Sequence, residues 1–403
     1  MEINNLIHKV FISENPVKIF LENIEKLKEV TFFFFDNNAN PIPELKEKNF
    51  GDFRIQGLGK YNNMFILNEK ILQVPISELK IKKIIHFDSN IITLLGYFFF
   101  DKEKFKKKYV GRYTDFIKIL DYIRNNDMIP NCEPYLIERT LNDFPIVDNI
   151  KNEIYRNILA FELFCSKNYN TLRESKYSLD IKEVENNLKI EADKKFNYIL
   201  NNKIKSEEKN KHYFAIYSLL LKSYIIAEEY SLKEKRKKKF VEFMLEEFGL
   251  YLEKEIILCL LYLENKLEKY NLKNFFKLKK SEKSSELENI EQIKNTAWDL
   301  FHTRYMEQKM AEEIKKNEYT VNFFFTYDKK LNNYIDFNYA KRMAFYKNHS
   351  YVYYLKNLEI DNFENYKKLF DQKEKIEIKD MDLYSYYKNL SQNLEIKIKK
   401  NKE

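Results

Sequence analysis

The stretch IIHFDSNIITLLGYFFF, residues 84–100, decides which class of fold the chain is expected to adopt. IIHF is rich in β-branched and aromatic side chains, the composition of a buried strand. Asp88-Ser89-Asn90 breaks the apolar run, which then resumes with the spacing of a helix through Phe100. A strand that ends on a carboxylate and turns straight into a helix is one unit of an α/β sheet. EYTVNFFFTYDKKL, residues 318–331, has the same form, an apolar strand ending at Asp328. Ligands of open α/β sheets gather at the carboxyl ends of strands, so both aspartates fall where a site is expected. The plainer reading of each is local: Asp88 caps the next helix, and Asp328 starts a turn.

Around these strands the 403 residues suggest two or more domains, with ample material for a core. Residues 1–80 read as a mixed α/β region, with helical spacing over 17–30 and strands at 30–35 and within 64–76. Residues 81–145 form the first part of an α/β domain and 286–335 its second part. Between them, 146–285 reads as a large all-helical insertion, with helices at 148–166, 180–203, 211–229, 232–248 and 251–271. KLKKSEKSSELEN, 277–289, is the best linker, and 286–316 is a long helix. Residues 336–403 read as a C-terminal extension whose basic end, EIKIKKNKE, is expected to fray.

Composition removes several functions. Only Gly249 lies beyond Gly111, so a glycine-rich phosphate loop is excluded from most of the chain, and Gly57-Leu58-Gly59 reads as a turn. The 33 Phe and 30 Tyr accompany abundant Lys, Asn and Ile, a bias of AT-rich codons, so aromatic content carries no functional signal. The net charge of +8 is compatible with a polyanionic partner, though modest for this length. Cys132, Cys165 and Cys259 have no paired spacing and sit among apolar residues, which suggests buried free thiols in a reducing cytosol. No signal peptide or membrane-length apolar run is present, so a soluble, cytoplasmic protein with no membrane partner is expected. The five histidines lack metal-ligand spacing, which argues against zinc.

Four acids stand out by context: Asp88, Glu138 in PYLIERTLND, Asp299 in NTAWDLFHTRYMEQKM and Asp328. Clustered carboxylates repel, and a hard divalent cation, Mg²⁺ or Mn²⁺, is the usual compensation. Each also has a bland reading. Glu138 fits an ordinary solvated helix position, Glu133 and Glu153 compete with it, and Thr296 to Asp299 matches a capping box at a helix start. His302 projects near the face of Asp299, and Arg304 is a candidate phosphate contact. The basic run KEKFKKKYVGR, 102–112, offers Lys106, Lys107 and Lys108 to a polyanion, and KEKRKKKF at 233–240 reads more simply as a solvated face.

At these residues the chain resembles the PIN-domain nucleases. IHFDSNII is similar to the family's first strand, where an Asp is followed by Thr or Ser and often Asn. AWDLFHTRYME resembles its later acidic helix, and FFFTYDKKL its last motif, an apolar strand followed by Thr-x-Asp. The resemblance covers roughly 84–143 and 290–335. It implies a parallel α/β/α sandwich, here with a large all-helical insertion, that binds Mg²⁺ or Mn²⁺ in an acidic cleft and cleaves RNA. It implies that Asp88, Asp299 and Asp328 hold the metal, with Glu138 as the fourth catalytic acid and Ser89, Asn90 and Thr326 orienting them. A DNA or flap nuclease of the same chemistry and a non-catalytic helical interaction protein stay open, as does a homodimer or an inhibitory partner protein.

Overall fold

The computed structural model describes residues 2–35, 47–59, 64–73, 81–142, 148–175, 177–273, 275–276, 286–315, 319–347, 349–354 and 382–400. The chain divides into two compact units, residues 1–201 with 304–355 and residues 202–303 with 356–403.

The first unit opens with α1 (Glu2–Ile12), α2 (Pro16–Glu22) and α3 (Ile24–Leu27). The helical spacing over 17–30 is split because Asn23 closes α2, its backbone N–H donating to the Phe20 and Leu21 carbonyls. Strands β1 (Thr31–Phe34), β2 (Lys48–Phe50), β3 (Phe53–Gly57) and β4 (Phe65–Leu67) follow. The opening stretch of the sequence analysis forms β5 (Ile81–Phe87) and α4 (Ser89–Phe100). Next come α5 (Lys102–Lys108), α6 (Tyr113–Asn125), β6 (Ile129–Asn131), α7 (Glu133–Asn142), α8 (Asp148–Cys165), α9 (Tyr169–Glu174) and α10 (Asn186–Asn201). The second unit takes α11 (Lys203–Lys209), α12 (Lys211–Glu229), α13 (Lys233–Phe243) and α14 (Glu253–Leu263). Helix α15 (Glu286–Lys315) starts in the second unit and ends in the first, which then receives β7 (Tyr319–Thr326), α16 (Lys329–Phe337), β8 (Ala340–Tyr346) and β9 (His349–Tyr354). Helix α17 (Leu383–Lys400) belongs to the second unit.

The division therefore falls at 201/202 and 303/304 rather than at the ends of a 146–285 insertion. Helices α8 to α10 pack with the first unit, where α8 lies along α4. A Cβ on Gly96 of α4 would stand 2.1 Å from Asn157 Oδ1 of α8, so glycine sets how closely the two helices approach. Within the proposed linker, residues 277–285 lie outside the described residues.

Two sheets share the first unit. One is antiparallel, in the order β4-β1-β8-β9. Helices α1 to α3 cover it, packing Leu6, Val10, Phe11, Phe20 and Leu27 against Phe32 and Phe34. Phe33 meets Phe345 edge-on, and all of β1 is buried, hence its unbroken apolar run. Arg342 of β8 donates to the Phe11 and Ser13 carbonyls at 2.5 and 3.0 Å, satisfying acceptors at the end of α1.

The second sheet runs β2-β3-β7-β5-β6. Strands β6, β5 and β7 are mutually parallel, but β3 pairs antiparallel with β7 and β2 with β3. The wholly parallel sheet implied by the resemblance is thus corrected to a mixed one, because residues 48–57 of the N-terminal region add an antiparallel hairpin to its edge.

In the second unit, α12 packs along α14 and α17, and Tyr213 stacks on Trp298 with ring centroids 3.9 Å apart. The C-terminal end does not fray as far as Lys400: α17 buries Tyr387, Leu394 and Ile398, and the Tyr387 hydroxyl donates to Phe248 O at 2.6 Å. Cys132 and Cys259 are buried, but Cys165, at the end of α8, is exposed. Among the described residues no helix is long and apolar enough to cross a membrane.

Candidate functional site

Because β5 and β7 are adjacent and parallel, Phe87↔Phe325 brings their carboxyl ends to one edge of the sheet. Asp88 continues the ladder by one bond, its N–H donating to Phe325 O at 3.0 Å. It occupies the N-cap position of α4, yet its side chain makes no capping bond. The carboxylate turns across the strands instead. Thr326 Oγ1 donates to Asp88 Oδ2 at 2.6 Å, and Asn90 Nδ2 approaches the same oxygen at 3.4 Å. At 4% exposure a carboxylate needs such donors, and a hydrogen bond to a charged acceptor is among the stronger kinds.

The Thr326 hydroxyl also accepts from the Asp328 N–H at 3.0 Å, so one oxygen links both aspartate positions. The Asp328 side chain does what the plainer reading expects. Its Oδ1 accepts from the Lys330 and Leu331 N–H groups at 2.7 and 3.2 Å, capping α16. Glu138, half-buried on α7, accepts from the hydroxyl of Ser89, the residue next to Asp88. Its competitors are placed elsewhere: Glu133 pairs with Lys309 at 3.3 Å, and Glu153 is exposed on α8. The first unit therefore gathers Asp88, Ser89, Asn90, Glu138, Thr326 and Asp328.

Asp299 and His302 belong to the second unit. The helix that carries them begins at Glu286, in line with the 286–316 span, so the alternative reading of a capping box does not hold: Thr296 lies mid-helix and donates back to Gln292 O at 2.9 Å. His302 is buried, with its ring near Trp298. Arg304, on the first-unit part of α15, is half-buried. Lys106, Lys107 and Lys108 are exposed on α5, and Lys106 pairs with Glu103 at 3.3 Å.

Beneath Asp88 a polar network ties the same elements together. His86 of β5 lies 3.1 Å from Asn322 Oδ1 of β7, and Asn322 Nδ2 donates to Met306 O of α15 at 2.8 Å. The Tyr305 ring meets the His86 ring edge-on at 5.4 Å. Burial pushes the His86 imidazole down to about 4, so the ring is neutral near pH 7.

Sequence reasoning passed over Tyr327, the middle residue of Thr-x-Asp, because its aromatics were discounted. Burial raises its hydroxyl pKa first, and the nearby Tyr109 and the Asp88 charge raise it further. The Arg112 guanidinium lies 5.2 Å from the Tyr327 ring and pairs with Asp52 at 2.7 Å.

Asp88, Glu138, Ser89 and Thr326 present only oxygen, the donor type of Mg²⁺ and Mn²⁺. Among the described residues no three His, Cys, Asp or Glu side chains are grouped to hold a metal. One or two carboxylates are enough for Mg²⁺, which keeps several of its waters. Comparison with protein-family models, with curated proteins and with solved structures finds no match to this chain.

Proposed function

We propose that the first unit is a metal-dependent phosphodiester hydrolase acting on RNA, with Asp88 and Glu138 as the carboxylates that hold Mg²⁺ or Mn²⁺. The observation that supports this is the orientation of Asp88: its carboxylate forgoes the cap of its own helix and turns to the carboxyl ends of two parallel strands. Thr326 fixes that orientation, and Ser89 fixes Glu138. Asn90, exposed at the same turn, would offer its amide to a substrate oxygen. When bound, a divalent cation supplies an acidified water and neutralises charge on a phosphate under attack. The choice of RNA over DNA follows the resemblance of the motifs, and the 2′-hydroxyl is the chemical difference on which it turns.

The cap made by Asp328 supports a second reading, a non-catalytic interaction protein in which Asp88 is a structural latch. Titration with Mn²⁺, followed by its electron paramagnetic resonance signal, separates the two. The hydrolase reading expects an ion bound by the wild type and released by Asp88→Asn, which keeps the shape but removes the charge. Equal binding by both proteins, or none by either, favours the latch.

A further inference from the structure

Tyr97 of α4 stands nine residues beyond Asp88, about 13 Å along the helix axis at the α-helical rise. Three cations gather around its ring. Lys104 Nζ lies 4.9 Å and Lys108 Nζ 5.4 Å from the ring centroid, both from α5, and the Arg156 guanidinium of α8 lies at 5.4 Å. One cation over an aromatic face is favourable, but three like charges so close oppose one another. Among the described residues none of the three is paired with a carboxylate, in contrast to Lys106 and Arg112 close by. Arg156 Nε is buried with no hydrogen-bond partner.

The arrangement is held from below. Arg156 is the neighbour of Asn157, which packs on Gly96, the neighbour of Tyr97. The backbones bearing ring and guanidinium are thereby locked by the α4–α8 contact. An anion among the three cations relieves their repulsion and gives the guanidinium a bidentate acceptor. Phosphate suits this better than carboxylate, because it offers several oxygens to a fork and two point charges at once.

We infer that Lys104, Lys108 and Arg156, gathered on Tyr97, form a phosphate-binding site. The ligand is a phosphate group, either of a small molecule or of an RNA backbone. The inference shares only this phosphate chemistry with the proposed hydrolase, and it is tested in chelator, so its failure leaves the metal reading standing.

The test uses the full chain in EDTA with two probes, inorganic phosphate by calorimetry and a short fluorescein-labelled single-stranded RNA by anisotropy. Arg156→Gln is compared with Lys118→Gln, a charge change of the same size on α6, where Lys118 pairs with Asp115. Arg156→Gln is expected to weaken binding roughly tenfold, the loss of one charge-assisted contact. With RNA it also lowers the slope of log K against log salt by about one. A loss confined to RNA identifies a strand phosphate, and a loss for inorganic phosphate as well identifies a small-molecule site. If Arg156→Gln lowers the melting temperature, the double variant Lys104→Gln/Lys108→Gln, both exposed positions, replaces it. The inference is overturned if neither probe binds, or if the site variants bind both probes as Lys118→Gln does.

Discussion

His86 offers a quantitative check on the interior of the first unit. The ring is 1% exposed, and burial lowers its pKa from 6.5 to about 4. Asn322 and the Glu133 charge favour the protonated ring, and Lys309 opposes it, but desolvation outweighs them. The folded pKa lies below the unfolded one, so the contribution is fully present above pH 6.5, where both states are neutral. It is lost as pH falls, because the unfolded chain takes up the proton first, and the loss is complete near pH 4. The whole shift corresponds to about 3 kcal/mol, most of which is lost between pH 7.5 and 4.5. His86→Gln keeps a donor for Asn322 but cannot titrate. Whatever the variant costs at neutral pH, its stability deficit relative to wild type should shrink by that amount at pH 4.5. Hydrogen exchange of the β5 amides, corrected for intrinsic rates, is the suitable assay. A deficit equal at both pH values would refute the argument that burial holds this ring neutral.

Two substitutions probe other junctions. Thr326→Val removes the hydroxyl that donates to Asp88 and accepts from the Asp328 N–H, and should cost about 2 kcal/mol, read by exchange of the β7 amides. Arg342→Ala leaves the Phe11 and Ser13 carbonyls without their guanidinium donor and should destabilise the packing of α1 by about 1–3 kcal/mol, visible as faster exchange over Glu2–Ile12.

The parts of the fold legible in the sequence are those whose pattern is long and internally consistent. β5 followed by α4, and the helices α7, α8, α12 and α15, each bury a periodic or continuous apolar run. Strands β8 and β9 were hidden because AKRMAFY and HSYVYY show no regular apolar–polar alternation, and what makes them strands is pairing with β1 and with each other. The span of α15 was legible, and it leaves the local Thr-x-x-Asp match at Thr296 to Asp299 in mid-helix, where it caps nothing. At the site, Asp88, Ser89 and Thr326 were legible from strand ends. That Thr326 bonds Asp88 while Asp328 turns to a cap depends on the β5–β7 register, which no single segment encodes. The gathering around Tyr97 needed three helices in contact and was equally out of reach.

The central claim, that the Asp88 edge of the sheet carries metal-dependent phosphodiester chemistry, is tested most directly by cleavage of a labelled RNA. Wild type, Asp88→Asn and Glu138→Gln are incubated with it in Mn²⁺ and in chelator, beside a DNA of the same sequence. Wild type is expected to cleave RNA in Mn²⁺ alone, and each variant to lose about a hundredfold or more in rate, the scale of removing a charge that acts in the transition state. Unchanged cleavage by both variants, or no cleavage of either polymer by wild type with any divalent metal, contradicts the claim.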